Sequence, residues 1–218
     1  MNRALRRISI AVLVMFVLLL INVNYLQGFQ TASLANEPGN VRAFDAQNQY
    51  QRGNIVTQDG VTVAESTPSN DELKYKRFYP QGPVYAPVTG YDTLYSQTGI
   101  EAAENSLLSG NDSTLTVRNL IDLLTGKQRK GANVTLTVNS KAQAAAYDAL
   151  AALGKPGGVV ALDPSTGKIL ALASYPSYNP NVLTTHIGKQ LNQPDSVLLN
   201  AAGNRLLNRA MKGTNPPG

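Results

Sequence analysis

The sequence predicts an α+β protein carried on one N-terminal transmembrane helix. Three observations predict it: an arginine-flanked apolar run over residues 8–26, short β-prone runs around an Asp-Gly turn at Asp59-Gly60, and a capped helix that leads into an apolar hairpin over residues 140–173.

The apolar run comes first. Arg3, Arg6 and Arg7 precede residues 8–21, which are apolar except for Ser9, and the run continues loosely to Leu26. A spanning helix needs roughly 17–25 residues, and 8–26 reaches that. Tyr25 falls at the far interface, where aromatic rings are favoured, and the arginines favour a cytoplasmic N-terminus. The expected layout is therefore a cytoplasmic tail at 1–7, an anchor at 8–26 and an extracytoplasmic remainder. A cleaved leader is the alternative. Residues 8–21 fit its apolar region, but residues 22–29 offer only Gly28 as a small residue for cleavage.

Composition narrows the classes. With 43% hydrophobic and 15% charged residues the chain is globular, not disordered. It has no cysteine, which excludes a disulfide scaffold and thiolate metal sites. The formal charge is +5, but three of the 19 basic residues sit in the N-terminal tail, leaving 16 against 14 acidic ones. Nucleic-acid binding needs a basic stripe, and residues 127–130 are too short to form one. No nucleic-acid partner, cofactor or metal is expected.

Residues 27–51 are polar, with Pro38-Gly39, and read as a linker. Next, 54–56 and 61–64 flank Gln58-Asp59-Gly60 as a hairpin. Residues 73–90 are rich in Tyr, Pro and Gly and read as irregular or edge-strand chain. Val117, Leu120, Ile121 and Leu124 recur at i, i+3, i+4 and i+7, one face of a helix that Gly126 closes. Residues 134–138 alternate like a strand. Ser140-Lys141-Ala142-Gln143 matches a capping box. Its helix is expected to show Ala142, Ala146, Ala149, Leu150 and Leu153 on one face and to end at Gly154. The runs 158–162 and 169–173 are then joined by Asp163-Pro164-Ser165-Thr166-Gly167, a turn sequence.

Several matches look catalytic and are read otherwise. Ser165-Thr166-Gly167-Lys168 spells S-x-x-K, but that chemistry needs the serine at a helix start, and here the four residues form a turn. Ser177-Tyr178-Asn179 lies in a Pro-flanked loop. His186 has no companion at metal-ligand spacing. Glu101 and Glu104 at i, i+3 suit a helix N-terminus, where the dipole favours carboxylates. No residue is assigned a catalytic role.

The run from Gly158 to Asn181 (GVVALDPSTGKILALASYPSYNPN) resembles the first hairpin of a penicillin-binding transpeptidase domain. Leu136-Thr137-Val138-Asn139 with Gln143 resembles the lead-in to that family's first helix. Asn208-Arg209-Ala210 and Pro217-Gly218 resemble its approach to Ser-Thr-Phe-Lys, where the nucleophilic serine follows the glycine directly. Arg52-Gly53-Asn54-Ile55 with Gly60 and Ala64, then Tyr79-Pro80, Val88-Thr89-Gly90-Tyr91 and Gly99-Ile100-Glu101, resemble motifs of the non-catalytic pedestal of class B members, of the actinobacterial penicillin-binding protein A type. Thr57-Gln58 depart from that pattern, where Asp-Arg is usual.

The resemblance implies a β-rich pedestal over 52–133 and the opening helix and hairpin of an incomplete transpeptidase domain over 134–218. It implies a fragment of a peptidoglycan D,D-transpeptidase, inactive alone, with the catalytic serine beyond Gly218. Stem peptides and β-lactams would be ligands of the full-length relative; cell-wall synthesis or division proteins are further candidate partners. Arg52 and Glu101 are expected to form a structural pair. A membrane-anchored scaffold that keeps the pedestal for partner contacts is the second reading.

Overall fold

The computed structural model describes residues 2–30, 50–70, 74–93, 96–128, 130–184 and 204–213. His186 lies outside them. The chain divides into two compact units, Met1–Ala43 and Phe44–Gly218.

In the first unit, helix α1 (Asn2–Tyr25) runs into a single wide turn, Leu26–Gln30. At 1.5 Å per residue α1 is about 36 Å long, enough for the roughly 30 Å hydrocarbon layer. Over residues 8–21 it is apolar all round but for Ser9, and Leu13, Phe16 and Leu20 are each about 60% exposed, so nothing among the described residues covers this stretch. Near its far end α1 carries two polar side chains, Asn22 and Asn24, and Asn24 donates to the Leu20 carbonyl at 2.8 Å and so satisfies part of its amide locally.

The second unit is built on a four-stranded sheet of order β3-β2-β1-β4, comprising β1 (Ile55–Val56), β2 (Thr62–Pro68), β3 (Tyr75–Phe78) and β4 (Val134–Thr135). The β1–β2 and β2–β3 pairs are antiparallel, and β4 joins β1 in parallel. The expected hairpin at Asp59-Gly60 is present. Gly60 takes φ +82°, and Thr57 closes the turn by accepting from the Val61 amide at 3.0 Å. Thr57, where the resembled pattern has Asp, thus builds the turn.

The irregular or edge-strand chain expected over 73–90 is met in part: β3 is an edge strand of the sheet. The departure is a helix, α2 (Gly82–Thr89), which forms despite Pro87. Pro83 falls in the first turn, where its missing N–H is not needed. Pro87 costs one internal bond, and Gly90 still donates to Ala86 at 2.9 Å to close the last turn. Helices α3 (Gly99–Ala103), α4 (Asn105–Leu108) and α5 (Thr116–Leu124) follow. The predicted α5 exists, but Val117, Ile121 and Leu124 of its expected buried face are exposed.

Strand β4 is shorter than the alternation suggested, yet the chain beyond it still tracks β1. Leu136 donates to Val56 at 2.8 Å and Gln58 to Val138 at 3.1 Å. Leu136 and Val138 join Ile55, Val63, Tyr79, Tyr85 and Leu108 in the main core.

Helix α6 (Ser140–Leu153) is capped by Asn139, not Ser140: the Asn139 side chain accepts from the Ala142 amide at 3.1 Å. Ser140 instead donates from both its amide and its hydroxyl to Asp59. The buried residues of α6 are Gln143 and Leu150, while Ala149 and Leu153 are exposed, so its contact stripe is narrower than predicted. Gly154 closes it at φ +63°. Strands β5 (Gly157–Leu162) and β6 (Ile169–Tyr175) form the expected antiparallel hairpin. Along β6, Ala171 to Ser174 are all buried, so both faces of that strand are covered there; β5 is the open strand. Val160 and Leu162 remain 42% and 57% exposed.

Candidate functional site

Two constructions dominate the second unit. One is a buried cluster of charges; the other is the set of polar bridges that fix the β5–β6 hairpin to it.

Glu101 sits in the first turn of α3 and is fully buried. Arg52, just ahead of β1, donates from Nε to Glu101 Oε2 at 2.8 Å and from Nη2 to the Glu101 carbonyl at 2.8 Å. Its Nη1 donates to Asn105 Oδ1 at 2.6 Å. Arg77 on β3 donates from Nε to Glu101 Oε1 at 2.6 Å and from Nη1 to the Gly53 carbonyl at 2.8 Å. The Tyr79 hydroxyl donates to Glu101 Oε1 at 3.2 Å and accepts from the Asp92 amide at 2.9 Å. Asp92 lies 3.5 Å from Arg52 and accepts from Gln97 at 2.6 Å.

Two guanidinium groups therefore face two carboxylates, and the charges balance. Burial pushes the Asp92 carboxyl above its ordinary pKa, with Arg52 opposing the shift. Burial also works against the Arg52 charge, but Asp92 and Glu101 more than offset it and hold its pKa above the ordinary value. Burial, reinforced by Glu101, raises the Tyr79 phenol well above its usual range, so it stays a donor. A closed and charge-balanced cluster, in which Arg77 Nη2 is the one buried guanidinium nitrogen among the described residues without a hydrogen-bond partner, suits structure rather than catalysis.

The sequence-predicted pair Arg52–Glu101 is present. Its extension to Arg77, Tyr79 and Asp92 was missed, because nothing in their spacing joins a strand residue to a loop carboxylate. Glu101 does lie at a helix start as the dipole argument holds, but its two ion pairs dominate its surroundings. Glu104 stays outside this pairing network.

Glycine makes the close approach possible. A Cβ on Gly53 would lie 1.8 Å from the Ala132 carbonyl oxygen, and Gly53 donates to Leu108 at 2.9 Å. Gly90 (φ +69°) likewise crosses Thr98, whose carbonyl would lie 2.1 Å from an added Cβ.

Four side chains then carry the hairpin. Gln143, fully buried, donates to the Val84 carbonyl at 2.8 Å and the Leu172 carbonyl at 2.9 Å, and accepts from the Leu172 amide at 2.8 Å. It pairs with β6 as a strand backbone would, and reaches α2 as well. Asn181 repeats the device on Tyr79, donating to its carbonyl at 2.8 Å and accepting from its amide at 2.9 Å. Asn208 donates to the Pro87 carbonyl at 2.8 Å. Ser174 accepts from the Arg209 amide at 3.0 Å and donates to the Leu207 carbonyl at 3.2 Å. Tyr178, read in the loop Ser177-Tyr178-Asn179, packs edge-to-face on Tyr91 at 6.1 Å. Around this seam lies a cleft of about 460 Å³ whose lining includes Tyr91, Ser177 and Asn208.

Ser165 occupies the hairpin turn, exposed. Its amide and hydroxyl both donate to Asp163 Oδ1, at 2.9 and 2.7 Å, and Thr166 donates to Asp163 Oδ2 at 2.6 Å. Those hydroxyls lower the Asp163 pKa to about 2. Gly167 takes φ +71°, so Ser165 and Lys168 share no helical turn.

Residues 52–134 match the family described as penicillin binding protein A dimerisation domain, and 157–218 match the penicillin binding protein transpeptidase domain. The chain belongs to the class B penicillin-binding proteins.

Within them it is similar to the peptidoglycan D,D-transpeptidase PbpA of Mycolicibacterium smegmatis and to that of Mycobacterium tuberculosis. Each is 43% identical over 100% of this chain and 45% of the relative's length. The chain thus spans less than half the length of these curated relatives. The M. tuberculosis penicillin-binding protein A, solved as an imipenem acyl-enzyme complex, superposes with a TM-score of 0.71 at 42% identity, covering 75% of this chain and 38% of that one. Pseudomonas aeruginosa PBP2 superposes at 0.60 with 29% identity, covering 78% and 38%.

Proposed function

We propose that this chain is the anchor, pedestal and opening transpeptidase segment of a peptidoglycan D,D-transpeptidase. The N-terminus is cytoplasmic and the second unit extracytoplasmic; residues 52–133 form the pedestal and 134–218 the start of the catalytic domain. The observation that carries this reading is the similarity to PbpA along the whole chain, continuing through 157–218 into a transpeptidase domain.

The reaction proposed for the complete enzyme is acyl transfer. A serine oxygen bonds to the carbonyl carbon of the penultimate D-Ala of a stem peptide, and the terminal D-Ala leaves as the protonated amine. An amine of a neighbouring stem then attacks the ester, and the serine recovers its proton. A serine–lysine pair and oxyanion donors would supply activation and charge stabilisation, and β-lactams would mimic the donor. The described residues contribute position instead. Gln143, Asn181, Asn208 and Ser174 hold the hairpin and the segment at 204–213 against α2 and the strand end at Tyr79. The exposed apolar side of the hairpin at Val160 and Leu162 is where further strands of the domain would pack.

An alkaline phosphatase fusion after Tyr50 should be active, and the protein should stay with membranes in a carbonate wash. Recovery in the soluble cytoplasmic fraction would sink the topology. The reading frame after the codon for Gly218 should run into Ser-Thr-Phe-Lys; an in-frame stop with its own terminator would favour a scaffold instead.

A further inference from the structure

Helix α5 turns its apolar stripe outward. Val117, Ile121 and Leu124, at i, i+4 and i+7, are 70%, 54% and 78% exposed. An amphipathic helix of a folded domain normally buries that stripe.

Two further observations say what covers it. The first is charge. Exposed Arg118 lies beside the stripe, and exposed Lys127 and Lys130 follow in the next turn and loop. Arg118 donates to the Lys130 carbonyl, which folds that loop back along the helix. The only carboxylate on α5 is the half-buried Asp122, and among the described residues none of the three cations has an ion-pair partner. An apolar stripe edged by cations is the pattern of a helix lying in a lipid interface.

The second is the path of the chain. Gln51 pairs in parallel with Lys130, and Gly131 donates to the Gln51 carbonyl at 2.9 Å. The tether therefore meets the second unit beside the α5 cations. The 20 residues between Gln30, where the wide turn after α1 ends, and Gln51 give a reach of at most on the order of 70 Å.

We infer that α5 docks on the surface of the anionic bilayer that holds α1, with Val117, Ile121 and Leu124 among the acyl chains and Arg118, Lys127 and Lys130 on the lipid phosphates. This rests on the reading of residues 8–26 as a membrane anchor. Docking would limit the swing of the second unit about its tether.

The absence of cysteine allows a direct test. The full chain is made with a single cysteine at Ile121, Phe16 or Lys155 and labelled with an environment-sensitive fluorophore. Each protein is reconstituted in vesicles of phosphatidylcholine with phosphatidylglycerol, carrying a lipid-borne nitroxide. The Ile121→Cys and Phe16→Cys labels should be quenched, and the Lys155→Cys label should stay open to aqueous iodide. In the Ile121→Cys protein, each of Arg118→Glu and Lys127→Glu should lower the docked-to-free ratio at least about fivefold, the effect expected from losing one basic contact. Phosphatidylcholine alone should release the helix. A quenched Phe16 label with an iodide-accessible Ile121 label overturns the inference and leaves the anchor standing. Protection of Ile121 from iodide without nitroxide quenching overturns it too, since protein would then cover the stripe. An unquenched Phe16 label removes the anchor and the inference together.

Discussion

Arg52 grips both ends of Glu101, its side-chain carboxylate and its backbone carbonyl, each at 2.8 Å. A lysine, with one compact ammonium, cannot span both acceptors and Asn105 together. Arg52→Ala should destabilise the protein by about 3–5 kcal/mol, because it leaves Glu101 buried against Arg77 with its other partner gone. Arg52→Lys should recover less than half of that. Urea unfolding in detergent, followed by circular dichroism, measures both; a loss under about 1 kcal/mol would place the cluster among dispensable ion pairs.

Gln143 offers a cleaner dissection, since it carries no charge. Gln143→Ala strands the Leu172 amide and two carbonyls, which should cost about 2–4 kcal/mol. The loss should be local first. Amide exchange at Leu172 should accelerate by at least about tenfold, while amides in β2 keep their protection. Uniform acceleration across both sheets would mean that Gln143 supports the whole unit rather than the hairpin.

Much of this was legible in the residues. The apolar run, the Asp-Gly hairpin and the turn at Asp163-Pro164-Ser165-Thr166-Gly167 each rest on local chemistry, and each is present. Helix α2 was illegible because Pro87 in its interior argues locally against a helix, and the contacts that stabilise it, from Gln143 and Asn208, come from distant chain. The Ser140 and Gln143 pattern misled for a related reason. Both side chains found tertiary partners, Asp59 and β6, so Asn139 took over the cap. The outward stripe of α5 was invisible because periodicity gives a face without saying what lies against it.

Gly53→Ala tests backbone packing without touching any charge. The new methyl would press on the Ala132 carbonyl, and the strand pair β1–β4 would have to separate. Overpacking of this kind typically costs about 1–3 kcal/mol, and a contact this close should reach the upper end. Gly60→Ala is a useful contrast, because no atom lies within 4 Å of its would-be Cβ and only φ +82° resists. Equal unfolding midpoints for the two variants would contradict the close approach.

Asp59 should titrate abnormally. Hydrogen bonds from Ser140 and then Thr57 lower its pKa from 3.8 to about 2. A carboxylate depressed in the folded state adds stability above its unfolded pKa, and that stability is lost as pH falls through the folded value. The affected window therefore runs from about pH 4 down to about pH 2. Asp92 has the opposite sign: its pKa is raised by burial, so its contribution fades as pH rises through the folded value. Carboxyl-carbon NMR separates the two sites. Ser140→Ala should bring Asp59 back toward 3.8; an unchanged value would show that Ser140 does not hold it.

Covalent penicillin labelling tests the central claim, that this chain is the positioning half of a transpeptidase and not its nucleophile. Purified protein is incubated with a fluorescent penicillin and run on a denaturing gel, both as residues 1–218 and extended through its downstream reading frame to the end of the catalytic domain. The shorter chain should give no band. The extended chain should give a hydroxylamine-sensitive band that survives Ser165→Ala. A band on the 218-residue chain that disappears in Ser165→Ala would contradict the account, because a serine bonded to Asp163 at the tip of an exposed turn would then be the acylated residue.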